Sequence, residues 1–509
     1  MLKKKVLLLA CLLVSPAVEA QPAPPPGGYL PQGFAFGDVT SSSAIFWTRL
    51  PSGHGRLELR DGAKVLRKVE LTATADDDFT TQVDLEDLAA NRRYGLRLAA
   101  LDAAGAELES REGELRTAPA AGEKTELSFV MSGDLGGQGY CRHPEQGYSI
   151  FSAMRALAPD FFVANGDMIY ADSTCPPKNP DGQPNLQSDY LDVSDKSLDW
   201  RDPAKTFEAF AGHWRYNRAD RHFQDFLART AIYTQWDDHE VINDFGSPWK
   251  EWPNDPDRPG YPQLVASGTR ALFLYNPIRR DPDEPRRIYR SFSWGADVDL
   301  FLVDARSYRS ANDATDRPAN DKTALGKTQL EWLKQRLRES KATFKVISND
   351  VPLSLPTGSQ THLFGRDAFA NGTSGDFAQR TGFESELVDL LTFLDRENID
   401  NVVFLVTDVH FAMQLRYALD LDGDGELLTF HELVAGPLSA VRTVTPFQLD
   451  PTFKPVTLFA QGDIFNFLFV RLERGADGAP RLRAEIRDDS GRILEGSRLE
   501  IAPRVRDKG

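Results

Sequence analysis

Residues 231–241 read AIYTQWDDHEV. A short run of strand-forming side chains stops at two aspartates, a histidine and a glutamate. Adjacent carboxylates repel and are costly to bury, so the segment calls for something that offsets the charge. The same grammar recurs along the chain. ELSFVMSGD ends on Asp134, DFFVANGD on Asp167, FKVISND on Asn349 and Asp350, and NVVFLVTDVH on Asp408 with His410 two residues on. One strand-end aspartate would be an ordinary cap or turn. Several together fit an α/β sheet, where the carboxyl ends of strands converge on a ligand crevice.

The flanking pattern agrees. From Glu126 onward strands alternate with amphipathic helices, expected over 149–157, 206–229, 323–339 and 384–398. FNFLFVRLE, RLRAEIRD and RILEGSRLEI read as antiparallel strands finishing the sheet, and segments 173–203 and 246–266 as long surface loops. Between Phe34 and about Pro119 the pattern is instead short strands broken by turns, a small β-sandwich, with Tyr94 in LEDLAANRRY placed as a tyrosine corner. APAAGEK (118–124) reads as the linker. The expected division is a leader at 1–20, a proline-rich tether at 21–28, an N-terminal sandwich at 29–118 and the α/β domain at 125–505.

At 509 residues the chain exceeds one ordinary core, and 41% hydrophobic with 26% charged residues is the balance of a folded soluble protein. MLKKK, the apolar VLLLACLLVSPAV and Val18-Glu19-Ala20 make a secretory signal, so the expected location is secreted or periplasmic, with lipid anchoring at Cys11 as an alternative. No later apolar run is long enough to span a bilayer. Removing the leader's three lysines and one glutamate takes the formal charge from −16 to −18, which does not steer nucleic acid or anionic membranes. Cys141 and Cys175 remain. In an oxidising compartment a disulfide is their simplest reading, free thiols or a metal ligand being the others.

Converging aspartates, an asparagine and a histidine need cations. The oxygen-rich donor set suits Fe, Mn, Ca, Mg or Zn, and there are more donors than one tetrahedral ion needs. Asp167 is the natural bridge, with Tyr170 within reach of the same ion; a phenolate favours a trivalent ion. Each residue also has a plainer reading. Tyr170 could be a packed aromatic, His410 a satisfied core histidine, His239 a hydrogen-bond partner of a neighbouring acid, and Arg306 a salt bridge under the sheet.

Taken together, ANGDMIY, WDDHEV, FLVDARSYR and FLVTDVH resemble the GDxxY, DDHE, D-x-R-x-Y-R and GDVH blocks of the PhoD-like alkaline phosphatase family, metallophosphatases related to the purple acid phosphatases. The resemblance covers nearly all of the chain after the leader. It implies a metallophosphatase-type sandwich of two central mixed sheets flanked by helices, behind a small all-β (fibronectin/Ig-like) domain. It implies one ion, Fe(3+), on Asp134, Asp167, Tyr170 and His410. A second ion, Ca(2+) or Mn, Mg or Zn, would share Asp167 and take Asp238, Asp408 and Asn349. His239 would be the catalytic histidine and Arg306 a grip on a phosphate oxygen. The implied activity is hydrolysis of phosphomonoesters and/or phosphodiesters by a metal-activated hydroxide, on small-molecule or lipid or polymer substrates. Three departures stand out. The first block reads MSGDLGG without the cysteine ligand of the best-known bacterial relatives, threonine 407 replaces the glycine of GDVH, and the signal has no twin arginine.

Two other readings remain. A non-catalytic surface-binding protein would have no need of His239 beside a full ligand set. A calcium-stabilised structural protein would use DLDGDGE (420–426), but His431 stands where an EF-hand loop needs its bidentate glutamate, so a hairpin turn is expected there.

Overall fold

The computed structural model describes residues 27–246, 260–310, 316, 322–356, 368–371, 382–445 and 449–504. The leader with Cys11, most of the tether and much of 246–266 lie outside the described residues.

The N-terminal part contributes β1 (Phe34–Gly37), β2 (Ala44–Arg49), β3 (His54–Asp61), β4 (Lys64–Thr72), β5 (Thr80–Leu85), β6 (Arg93–Leu101) and β7 (Glu107–Arg116). Then follow β8 (Leu127–Ser132), α1 (Ile150–Ala156), β9 (Phe161–Asn165), α2 (Pro203–Arg218), α3 (Arg221–Leu227), β10 (Ala231–Gln235) and α4 (Tyr261–Tyr275). The second half runs β11 (Arg290–Trp294), β12 (Val298–Leu302), α5 (Lys327–Glu339), β13 (Phe344–Ser348), α6 (Glu384–Arg396) and β14 (Val402–Val406). It ends with β15 (Ala412–Leu419), β16 (Leu428–Val434), β17 (Val456–Gln461), β18 (Asn466–Arg474), β19 (Pro480–Asp488) and β20 (Leu499–Ile501).

Two mixed sheets dominate: nine strands in the order β20-β19-β18-β8-β9-β10-β1-β2-β5, and seven in the order β11-β12-β13-β14-β16-β15-β17. Their central strands pair in parallel, β8 with β9 and β9 with β10 in the first, β12 through β14 and on to β16 in the second. Each such strand is buried on both faces, which is why it reads as an unbroken apolar run. Phe161 and Val163 turn into the core between the sheets, together with Val346 and Leu405 from the other side. Phe162 and Ala164 face the layer of α1 to α4, while Ile347 and Phe404 face α5 and α6.

The N-terminal sandwich forms, but one of its leaves is the end of the large sheet. β1 pairs in parallel with β10, Gly37 opposite Ile232, and β2 and β5 extend the sheet beyond it. The separate four-stranded leaf, β4-β3-β6-β7, covers these strands. The tyrosine corner is present, the Ala89 N–H donating to the Tyr94 hydroxyl at 2.8 Å. DLDGDGE is a hairpin turn between β15 and β16, with Asp420 accepting from the N–H groups of Gly423 and Gly425.

Three expectations are corrected. The helix over 206–229 is two helices, because Asp220 accepts from the N–H groups of His222 and Phe223 and starts α3 afresh. Residues 261–266 begin α4 rather than ending a loop. Of RILEGSRLEI, only Leu499–Ile501 is strand. No helix of the described residues is long and apolar enough to cross a membrane.

Candidate metal centre

The chain leaves β8, β9 and β14 through left-handed turns at Asp134 (φ 60°), Asp167 (φ 52°) and Asp408 (φ 72°), with His410 also left-handed (φ 61°). Aspartate tolerates that region better than most residues; bulkier His410 is the costlier case, and such strain collects at functional sites. These turns aim donors from two sheets at one place. The nine-stranded sheet supplies Asp134, Asp167, Tyr170, Asp238 and His239, and the seven-stranded sheet supplies Asn349, Asp408 and His410.

Donor atoms of Asp134, Asp167 and His410 all lie within 4.8 Å of one another, as do those of Asp167, Asp238 and His239. Asp167 belongs to both groups. The Tyr170 hydroxyl is 2.9 Å from His410 Nε2, which places it with the first group. The Tyr170 ring lies where a Cβ on Gly137 would come within 2.1 Å, so the last glycine of GDLGG makes room for it. His410 Nδ1 donates to the Val441 carbonyl at 2.5 Å, which leaves Nε2 as the bare nitrogen facing Asp134 at 3.8 Å. That tautomer and backbone anchor are what a ligating histidine needs. Burial holds the imidazole neutral, lowering its pKa to about 4.

The acids are under strain. Burial, then Asp237, pushes Asp134 well above the usual carboxylate range; burial, then Asp238, does the same to Asp167. Among the described residues, Oδ1 of Asn349 has no hydrogen-bond partner and neither carboxylate oxygen of Asp134 has one of good geometry. Buried polar atoms are rarely left so. Buried, poorly satisfied oxygen donors beside a neutral imidazole are the donor set of a hard or borderline cation, and these clusters could hold metal.

Asn349 is further fixed because its amide nitrogen donates to the Val351 carbonyl. Asp408 stands apart from both close groups, its Oδ1 lying 3.6 Å from Arg306 Nη2. Arg306 is fully buried; it lies 2.5 Å from Asp237, 3.7 Å from Asp238 and 3.6 Å from Asp350. Its guanidinium thus lies buried among four aspartates, of which Asp238 and Asp408 belong to the expected ligand set.

Sequence reasoning passed over two residues that hold the site. Asp172 accepts from His239 Nδ1 at 2.6 Å and from the Asn243 N–H at 2.9 Å. Burial alone would depress the His239 pKa, but Asp172 and Asp238 outweigh it and raise it to about 10. Glu240 accepts from the N–H groups of Asp167, Met168 and Asp237 at 3.1, 2.8 and 3.0 Å, tying the β9 turn to the β10 turn. A disulfide joins Cys141 to Cys175, linking the loops that leave Asp134 and Tyr170, so Cys141 is not a metal ligand.

This fold, with donors gathered at the strand ends of two facing sheets, has counterparts among known protein families. The PhoD-like phosphatase family model matches residues 129–457, and the model of that family's N-terminal domain matches residues 17–119; the chain belongs to the PhoD-like phosphatase family. It is 24% identical over 422 residues to alkaline phosphatase D of Bacillus subtilis (strain 168), a match covering 77% of this chain and 66% of that protein, just under two thirds of its length. A solved PhoD structure superposes with a TM-score of 0.73 at 19% identity, covering 96% of this chain and 95% of that one. Purple acid phosphatase PPD1 from yellow lupin (Lupinus luteus) seeds superposes with a TM-score of 0.56 at 13% identity, covering 92% and 73%.

Proposed function

We propose that this chain is an exported hydrolase of phosphomonoesters and/or phosphodiesters that works with two ions. Asp134, Asp167, Tyr170 and His410 would hold one, and Asp167, Asp238, Asn349 and Asp408 the other. The membership of Asp167 in both close donor groups carries the reading. Bound there, the ions would supply the charge that acidifies a water and offsets the phosphoryl oxygens.

The side chains have separate tasks. The Tyr170 hydroxyl is pushed well above its usual pKa by burial, then by Asp167 and Asp134, so its ionisation calls for a strongly charged ion; Fe(3+) fits that position. The second position has oxygen donors throughout and fits Ca(2+), Mn(2+) or Mg(2+). His239, oriented by Asp172, holds a proton on Nδ1 and directs Nε2 toward Asp238, 3.8 Å from its Oδ1. From there it would hand a proton to the leaving oxygen. Arg306 would hold Asp237, Asp238, Asp350 and Asp408 in place by balancing their charge rather than gripping substrate. The disulfide supports placement in an oxidising, extracytoplasmic compartment.

Metal analysis of the purified protein with a visible spectrum tests the centre. A tyrosinate-to-iron(III) band lost in Tyr170→Phe is expected; two equivalents of a colourless divalent ion would remove iron from the reading. Rates on p-nitrophenyl phosphate and its bis ester assign the ester class, and no turnover of either after metal reconstitution would overturn hydrolysis.

A further inference from the structure

The two halves of the centre stand on different sheets, and the core between those sheets is a layer of apolar contacts such as Phe161, Val163, Val346 and Leu405. Apolar packing is non-directional and does not by itself fix one sheet against another to a fraction of an ångström. At the carboxyl ends of the strands the layer changes character. Asn165, the last residue of β9, donates through Nδ2 to the carbonyls of Asn349 at 3.2 Å and Leu405 at 3.3 Å, both on the opposite sheet. Ser348, the last residue of β13, donates its hydroxyl to Asn165 Oδ1. Thr407, next to Asp408, donates its hydroxyl to the Asn165 carbonyl at 2.7 Å. Asn165, Ser348 and Thr407 are at most 1% exposed. The turns touch as well: a Cβ on Gly133 would lie 2.4 Å from the Gly166 carbonyl oxygen and 3.2 Å from Thr407 Cγ2.

We infer that Asn165, Ser348 and Thr407 form a polar seam that positions the Asp134–Asp167 half of the centre against the Asn349–Asp408–His410 half, with Thr407 as the clamp beside Asp408. The inference rests on the two-ion reading above. The seam runs beside the proposed ligands: Asn165 precedes Gly166 and Asp167, Ser348 precedes Asn349, Thr407 precedes Asp408, and Leu405 lies three residues before Asp408. Hydrogen bonds are directional, so these fix both the separation and the angle between the turns. The glycine of the GDVH block could not make the Thr407 bond. All three are buried and act through the ligands beside them; they are positioning residues.

The test uses the full-length, metal-loaded protein and three variants. Thr407→Val keeps the shape and deletes the donor; Thr407→Ser keeps the donor; Ser348→Ala removes a second strut independently. Metal retention is read by dialysis against graded chelator, alongside kcat and KM on a chromogenic phosphoester and the melting temperature of the chelated protein. In T407V, metal affinity is expected to fall about tenfold or more, as for other residues that orient ligands. Its kcat should fall with KM little changed, the chelated protein should melt close to wild type, and T407S should restore both metal affinity and kcat. S348A should resemble T407V. Wild-type metal retention and kcat in T407V and S348A would overturn the seam, as would T407S as impaired as T407V, since the methyl group and not the bond would then matter. A wild-type protein that retains no metal would overturn the two-ion reading itself.

Discussion

Asp172 Oδ1 lies 2.6 Å from His239 Nδ1, and this buried contact decides which nitrogen of the histidine faces the centre. Asp172→Asn removes the charge that supports the imidazolium. The His239 pKa, raised to about 10, should fall, and the alkaline limb of the rate–pH profile should move to lower pH. A rate loss of about 10²-fold is expected with metal content intact. His239→Ala should cost about 10²- to 10⁴-fold, the range for a general acid or base, again with metal retained. Loss of metal in the alanine variant would make His239 a ligand instead of a proton donor.

Asp167→Asn should empty both ion positions, because its carboxylate belongs to both donor groups. Elemental analysis that finds one ion at full occupancy would show that Asp167 serves a single position.

Chelation should make stability depend on pH. Asp134, Asp167 and Asp350 are all raised well above the carboxylate range, by burial first and by neighbouring aspartates after it. An acid raised in the folded state contributes stability while protonated, and that contribution is lost as pH rises from the ordinary carboxylate value through the folded one. The metal-free protein should therefore melt progressively lower from about pH 5 upward, in the manner set by that linkage, while the loaded protein changes little. A metal-free melting curve that is flat with pH would contradict the strain assigned to these acids.

Cys141 and Cys175 are 34 residues apart in sequence, and a loop of that size corresponds to about 3–4 kcal/mol of chain-entropy stabilisation. The double serine variant should lose stability of that order in urea titration. It should also release metal faster, since the bridge joins the two loops leaving Asp134 and Tyr170. Unchanged metal release would confine the bridge to the stability of the loops.

The residues that bring charge to the site were legible in the sequence, because an apolar run halted by an acid is a local pattern. The residues that steady it were not. Glu240 works by accepting three backbone N–H groups from two turns, and Asp172 by meeting a histidine 67 residues away, contacts that leave no periodic mark. The break between α2 and α3 was readable in principle, since Asp220 is a strong N-cap inside an otherwise helical pattern. Which acids surround Arg306 depended on how the strand ends of two sheets meet, and spacing carries no such information. The parallel pairing of Gly37 with Ile232 joins segments nearly two hundred residues apart and was equally silent.

That last pairing bears on how the molecule can be divided. Phe34, Phe36 and Phe46 share one continuous core with Phe129, Phe161 and Tyr233. Cutting the chain at APAAGEK would strip β10, whose end carries Asp237 and Asp238, of its outer neighbour and leave an open edge ready to capture foreign strands. The front of this protein is better understood as a fixed wall of the α/β body than as a detachable appendage.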